Sequence, residues 1–204
     1  MREMVKKKFF EDGDTGTRWN PFVKTVLWSA VNAQSELRLD QDGQVLCRLY
    51  FYRETMILLV KEAKQDLYVF YFVPLLPKAI GGLAKCLENL ETIMPPSAIG
   101  DSRTLSLPSE VSEESKSISS ILEYAFPDCY KGDFTPITVN GWCFGERTIE
   151  RVLIKTNGTF YITSRNGAML NLNAVGYFDF IQHISRWIVQ THGRSIASKE
   201  KENG

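Results

Sequence analysis

Apolar and polar residues alternate along several short runs of this chain, and most of the runs end in residues suited to a reversal. In "QVLCRLYFYRE", Val45, Cys47, Leu49 and Phe51 point one way and Arg48, Tyr50 and Tyr52 the other, the period of two that marks a β-strand. The pattern predicts strands near 35–40, 44–53, 55–62 and 67–73, with Asp42-Gly43 as one turn. In "LYVFYFV" (67–73) both alternating sets are apolar, so both faces of that strand are expected to be covered. The next run, "LLPKAIGGLAKCLENLETIMPP", places Leu76, Ile80, Leu83, Leu87, Leu90 and Met94 at spacings of four and three. That predicts a helix with Pro77 in its first turn and Pro95-Pro96 as its stop. Gly81-Gly82 inside it cost about 1 kcal/mol each relative to alanine, which close approach of another backbone would offset.

The second half repeats the layout. Asn-Gly pairs stand at 140–141, 157–158 and 166–167 between alternating segments. Both residues tolerate the positive φ that a type I′ hairpin turn requires, so three such pairs predict a four-stranded meander. "NAVGYFDFIQHISRWIVQTHG" follows, with Tyr177, Ile181, Ile184 and Ile188 at helical spacing, Phe180 and Trp187 widening the stripe, and Gly193 placed to cap the end. A helix of about 16 residues fits.

The predicted fold class is therefore α+β, with two β-β-β-β-α units (21–94 and 131–193), each an antiparallel sheet packed by one helix. Residues 1–20 read as a polar N-terminal extension and 194–204 as a polar tail. Residues 95–130 read as a Ser-rich acidic linker or loop; its first 26 residues hold nine serines and three prolines, too polar to offset ordering entropy. Those serines are also candidate phosphorylation sites. A pleckstrin-like domain, with strands closed by one C-terminal helix, is the rival architecture for either half and implies a peptide-docking scaffold.

Composition narrows the chemistry. Of 204 residues, 24 are basic and 24 acidic, a balance that counts against a strong nucleic-acid binder, although the acids concentrate in 95–130. No window approaches the roughly 18 apolar residues of a membrane span, and "MREMVKKKFFEDGDTG" lacks the apolar core of a signal peptide. The four cysteines, Cys47, Cys86, Cys129 and Cys143, show no CxxC spacing. That disfavours zinc and fits a reducing intracellular compartment, nucleus or cytoplasm, better than a disulfide scaffold, with two bridges as the alternative.

No GxGxxG, Walker loop or GxSxG occurs. His183 and His192 lie near the last helix, where a structural histidine is the plainer reading, and Cys143 has no acid or base in its motif. A non-enzymatic protein without cofactor or metal is expected. The candidate binding residues are Arg48, Tyr50 and Tyr52 on one strand, Arg151 and Lys155 on another, and Tyr161 and Arg165 on the next. Rings beside cations on an open sheet suit single-stranded DNA or RNA, by stacking and phosphate contact. They equally suit a protein interface, or are core beneath the linker.

Two stretches carry a family resemblance. "TFYITSRNGAMLNLNAVGYFDFIQHISRWI" resembles the last strands and helix of a PUR repeat, and "YVFYFVPLLPKAIGGLAKCLENLETIM" resembles the strand-Val-Pro-helix passage of Whirly proteins. The repeated unit is also similar to the positive-cofactor-four coactivators. The resemblance implies single-stranded nucleic-acid binding on a curved sheet, with helices making intramolecular or dimer contacts. Single-stranded binding through the seven residues above is the leading expectation. The alternative is an interaction subunit that docks a partner protein, or a second copy, on the same face.

Overall fold

The computed structural model describes residues 10–13, 16–52, 55–62, 67–73, 76–107, 116–125, 127–130 and 133–202. In chain order the elements are β1 (Phe10–Gly13), β2 (Gly16–Trp19), α1 (Pro21–Val31), β3 (Ser35–Gln41), β4 (Gln44–Tyr52), β5 (Thr55–Glu62) and β6 (Leu67–Val73). They continue with α2 (Leu76–Cys86), α3 (Glu88–Ile93), β7 (Arg103–Ser106), α4 (Ile118–Ala125) and a 3-10 turn (Pro127–Tyr130). The remainder are β8 (Ile137–Cys143), β9 (Glu146–Thr156), β10 (Thr159–Asn166), β11 (Met169–Ala174) and α5 (Tyr177–Glu202).

The α+β class and the two four-stranded meanders hold. The units do not form separate sheets. Their first strands, β3 and β8, pair antiparallel from Ser35↔Cys143 to Gln41↔Ile137. They merge the halves into one nine-stranded sheet ordered β6-β5-β4-β3-β8-β9-β10-β11-β7. The physical reason is the edge: a lone meander leaves the backbone N–H and C=O groups of its first strand unpaired, and here each unit pairs the other's.

The repeat is closer than residue identity suggests. The β3–β4 turn is Asp42-Gly43 (φ 52° and 69°) and the β8–β9 turn, 102 positions on, is Phe144-Gly145 (φ 51° and 82°). Both hairpins shift register at the same place, between Leu39 and Asp40 in one and between Gly141 and Trp142 in the other. A helix also precedes each meander, so the unit is α-β-β-β-β-α.

Several sequence expectations are corrected. Asn140-Gly141 lies inside β8; the reversal comes at Phe144-Gly145. A Cβ at Gly141 would stand 3.1 Å from the Ile149 Cβ, so this glycine serves close packing between strands. The 95–130 stretch contributes β7, which extends the sheet by pairing with β11 (Leu105↔Leu170), and α4; residues 108–115 lie outside the described set. In the N-terminal extension β1 and β2 pair antiparallel, from Phe10↔Trp19 to Gly13↔Gly16. Helix α5 continues past Gly193 to Glu202, and the helix predicted over 76–94 breaks at Leu87.

One face of the sheet carries α2, α3 and α5. Leu37, Leu39, Leu49, Phe51, Leu58, Val139, Ile149 and Phe160 pack there with Leu83, Leu87, Phe180, Ile184 and Ile188 in one buried cluster. Each such side chain contributes about 1.5–3 kcal/mol by leaving water. The opposite face is covered in two patches: α1 lies on β4 and β5, and α4 packs Ile118, Ile121 and Leu122 against Val152, Ile154, Tyr161 and Leu172. Between those patches a groove lies over β3, β4 and β8.

Candidate functional site: the groove over the central strands

Helix α1 starts where the chain chemistry dictates. The Asn20 Oδ1 accepts from the backbone N–H of Phe22 (3.0 Å) and of Val23 (3.3 Å), and Pro21 occupies the first turn. The helix buries Val26 and Ser29 and turns Trp28 and Val31 outward, at 60% and 83% exposure. Its C-terminal end forms one wall of a groove of about 420 Å³ lined by Ala30, Val31, Gln34, Glu36, Arg38, Arg48, Tyr50 and Trp142. Gly145 also lines it, next in sequence to the exposed Phe144.

The floor is charged but internally paired. The Arg38 Nε donates to Asp40 (2.6 Å). The Arg48 guanidinium faces Glu36 at 3.6 Å and donates to the Tyr50 hydroxyl at 3.4 Å. Burial raises the Glu36 carboxyl above its ordinary pKa, and Arg48 and Arg38 only partly oppose this. Burial also works against the charge of Arg48, but the Tyr50 hydrogen bond and nearby Glu36 and Asp40 prevail and hold it above the usual arginine value. Two carboxylates and two guanidiniums thus balance.

Polar demand remains. Among the described residues, Gln34 Oε1, Arg48 Nε and Asn140 Oδ1 are buried without a hydrogen-bond partner; the 3.6 Å from Arg48 Nε to Glu36 is an ion pair and too long for a hydrogen bond. Gln34 and Arg48 line the groove, and Asn140 stands opposite Arg38 on the adjoining strand. Leaving such an atom unsatisfied costs about 1–3 kcal/mol.

The seven residues predicted from sequence divide into three groups. Arg48 and Tyr50 line the groove, and Tyr52 follows them on the same face of β4. Tyr161 and Arg165 share that side of the sheet but belong to the α4 patch: Tyr161 is buried in it, and Arg165 donates to the carbonyls of Gly167 (2.9 Å) and Lys116 (3.2 Å). Arg151 and Lys155 are on the opposite side, with register partners Val139 and Phe160 in the main core. Arg151 is half-buried and its pKa is lowered by burial, while Lys155 pairs with Asp133 at 2.7 Å. The expected single surface of rings and cations is thereby corrected. The register shift at Gly141/Trp142 displaces the face order along β9, and α4, unforeseen, covers the neighbouring strands. Reading single strands missed Gln34, Glu36, Arg38, Asn140 and Trp142, which meet only through the β3–β8 pairing.

No helix among the described residues is long and apolar enough to cross a membrane. No family model matches the chain, and no curated protein matches it. Among solved structures the chain is similar to the Mycobacterium tuberculosis type VII secretion system chaperone EspG5, determined in complex with a PE25-PPE41 dimer. Identity is 11%, the match covers 94% of this chain and 84% of that one, and the TM-score is 0.57. At that identity the likeness is one of fold.

Proposed function

We propose that this protein is a non-enzymatic binding subunit that docks a partner protein at the groove over β3, β4 and β8. The observation that carries this reading is the groove itself, lined by the rings of Tyr50 and Trp142 and by Val31 over a floor whose charges pair internally. Interfaces combine such rings with a few polar anchors. The likeness to a chaperone determined with a bound protein dimer supports the same reading. A single-stranded nucleic acid needs cations free to meet phosphate, whereas Arg38 and Arg48 are held by Asp40 and Glu36.

The test is the mass of the protein isolated from its native cells, by size exclusion with light scattering at about 0.1 M and about 0.5 M salt. A discrete heterocomplex that survives the higher salt is expected. A free chain that instead retains single-stranded oligonucleotide, with affinity falling steeply as salt rises, would overturn the reading.

A further inference from the structure

We propose that Cys47 and Cys86 form a redox modification site: hydrogen peroxide joins them in a disulfide that ties α2 to β4, and a thiol reductant releases it. The site lies on the helix-covered face of the sheet and is independent of the docking reading.

Packing brings the two sulfurs together. Cys47 is fully buried on β4, in the core cluster against which Cys86 packs, and α2, which Cys86 ends, lies on β4. The two thiols are hydrogen-bonded to each other, and the Cys86 Sγ also donates to the Gly82 carbonyl at 3.0 Å. A disulfide needs Cβ atoms about 3.5–4.5 Å apart, so small backbone adjustments govern closure. Both residues stand where the backbone departs from regular structure. The β3–β4 register passes from Leu39↔Cys47 to Asp40↔Val45, which leaves Leu46 as an extra residue beside Cys47. Cys86 is the last residue of α2, and the helix breaks at Leu87.

Exposure divides the roles. Cys86 is half-buried and meets the oxidant first. The Cys86 hydrogen bond and burial raise the Cys47 thiol above its ordinary pKa, so Cys47 acts second. The Cys86 thiolate attacks one peroxide oxygen and the O–O bond breaks; a Cys86 sulfenic acid forms, and the released hydroxide takes up the Cys86 proton as water. The Cys47 sulfur then attacks the Cys86 sulfur. The S–S bond forms, the S–O bond breaks, and the departing hydroxide carries off the Cys47 proton as a second water. Two thiols are oxidised to one disulfide while one peroxide is reduced to two waters.

The test treats the reduced full chain with hydrogen peroxide and reads intact mass, a non-reducing peptide map and the melting temperature. The expected result is a loss of two hydrogens, a peptide pair joined through Cys47 and Cys86, and a melting temperature higher by about 5–10 °C, all reversed by dithiothreitol. An unchanged mass, a link through Cys129 or Cys143, or oxygen gained at Cys86 with no link would overturn the proposal. Cys86→Ser gives a second readout. Its hydroxyl can still donate to the Gly82 carbonyl, and both the mass loss and the temperature gain are expected to vanish. A Cys86→Ser chain that still loses two hydrogens would also overturn the proposal. Neither readout involves a partner, so failure here leaves the docking reading standing.

Discussion

Arg38 and Asn140 stand opposite each other at the middle of the β3–β8 ladder, and they are also equivalent positions of the two units, 102 residues apart. A local two-fold axis therefore passes between them, and the groove opens beside it. The joint depends on close packing at the next residue. Because a Cβ at Gly141 would meet Ile149 at 3.1 Å, Gly141→Val is expected to cost about 1–3 kcal/mol. Urea unfolding should show this as a lower midpoint of one cooperative transition, since the halves share one sheet.

The adjacent glycines of α2 should behave oppositely. Gly81 is exposed and a Cβ there meets nothing within 4 Å, whereas at Gly82 it would stand 2.6 Å from a Leu58 methyl. Gly81→Ala is expected to stabilise by about 1 kcal/mol, and Gly82→Ala to gain nothing or lose stability as Leu58 shifts. Paired denaturation curves decide it.

Phe144 holds a positive φ of 51° and is 44% exposed. A non-glycine residue there carries about 1–2 kcal/mol of strain, which Asn lessens. Phe144→Asn is expected to raise the melting temperature by about 2–4 °C while weakening partner binding. Stability gained at no cost to binding would remove Phe144 from the interface.

His183 has its pKa lowered below 6.5, first by burial and then by Arg186, with Arg151 adding and Asp179 opposing; its ring stacks on Trp187. The folded state keeps the imidazole neutral, so its contribution is complete above pH 6.5 and is lost as pH falls through 6.5 towards the lower folded value. Urea midpoints at about pH 7.5 and 5.5 should diverge less in His183→Gln than in the parent chain.

Local pattern made the strands of the first meander legible almost to the residue, because each shows the two-residue period between breakers. It misplaced the β8 turn because Asn140-Gly141 offers better turn chemistry than Phe144-Gly145; the cross-strand fit of Gly141 on Ile149 is a tertiary fact. Helix α4 was legible in Ile118, Ile121 and Leu122 but hidden by the serines around them. The groove was not legible at all. It is made by pairing strands a hundred residues apart, and no short-range signal states that β3 and β8 are partners.

The most direct test of the central claim is site-specific photocrosslinking in the native cells, with a benzophenone side chain at Phe144 beside the groove and at Phe178 on the helix-covered face of the sheet. Both positions are exposed, so reactivity alone does not favour either. A discrete protein adduct at 144 and none at 178 is the predicted result; an adduct at 178 with none at 144 would contradict the account.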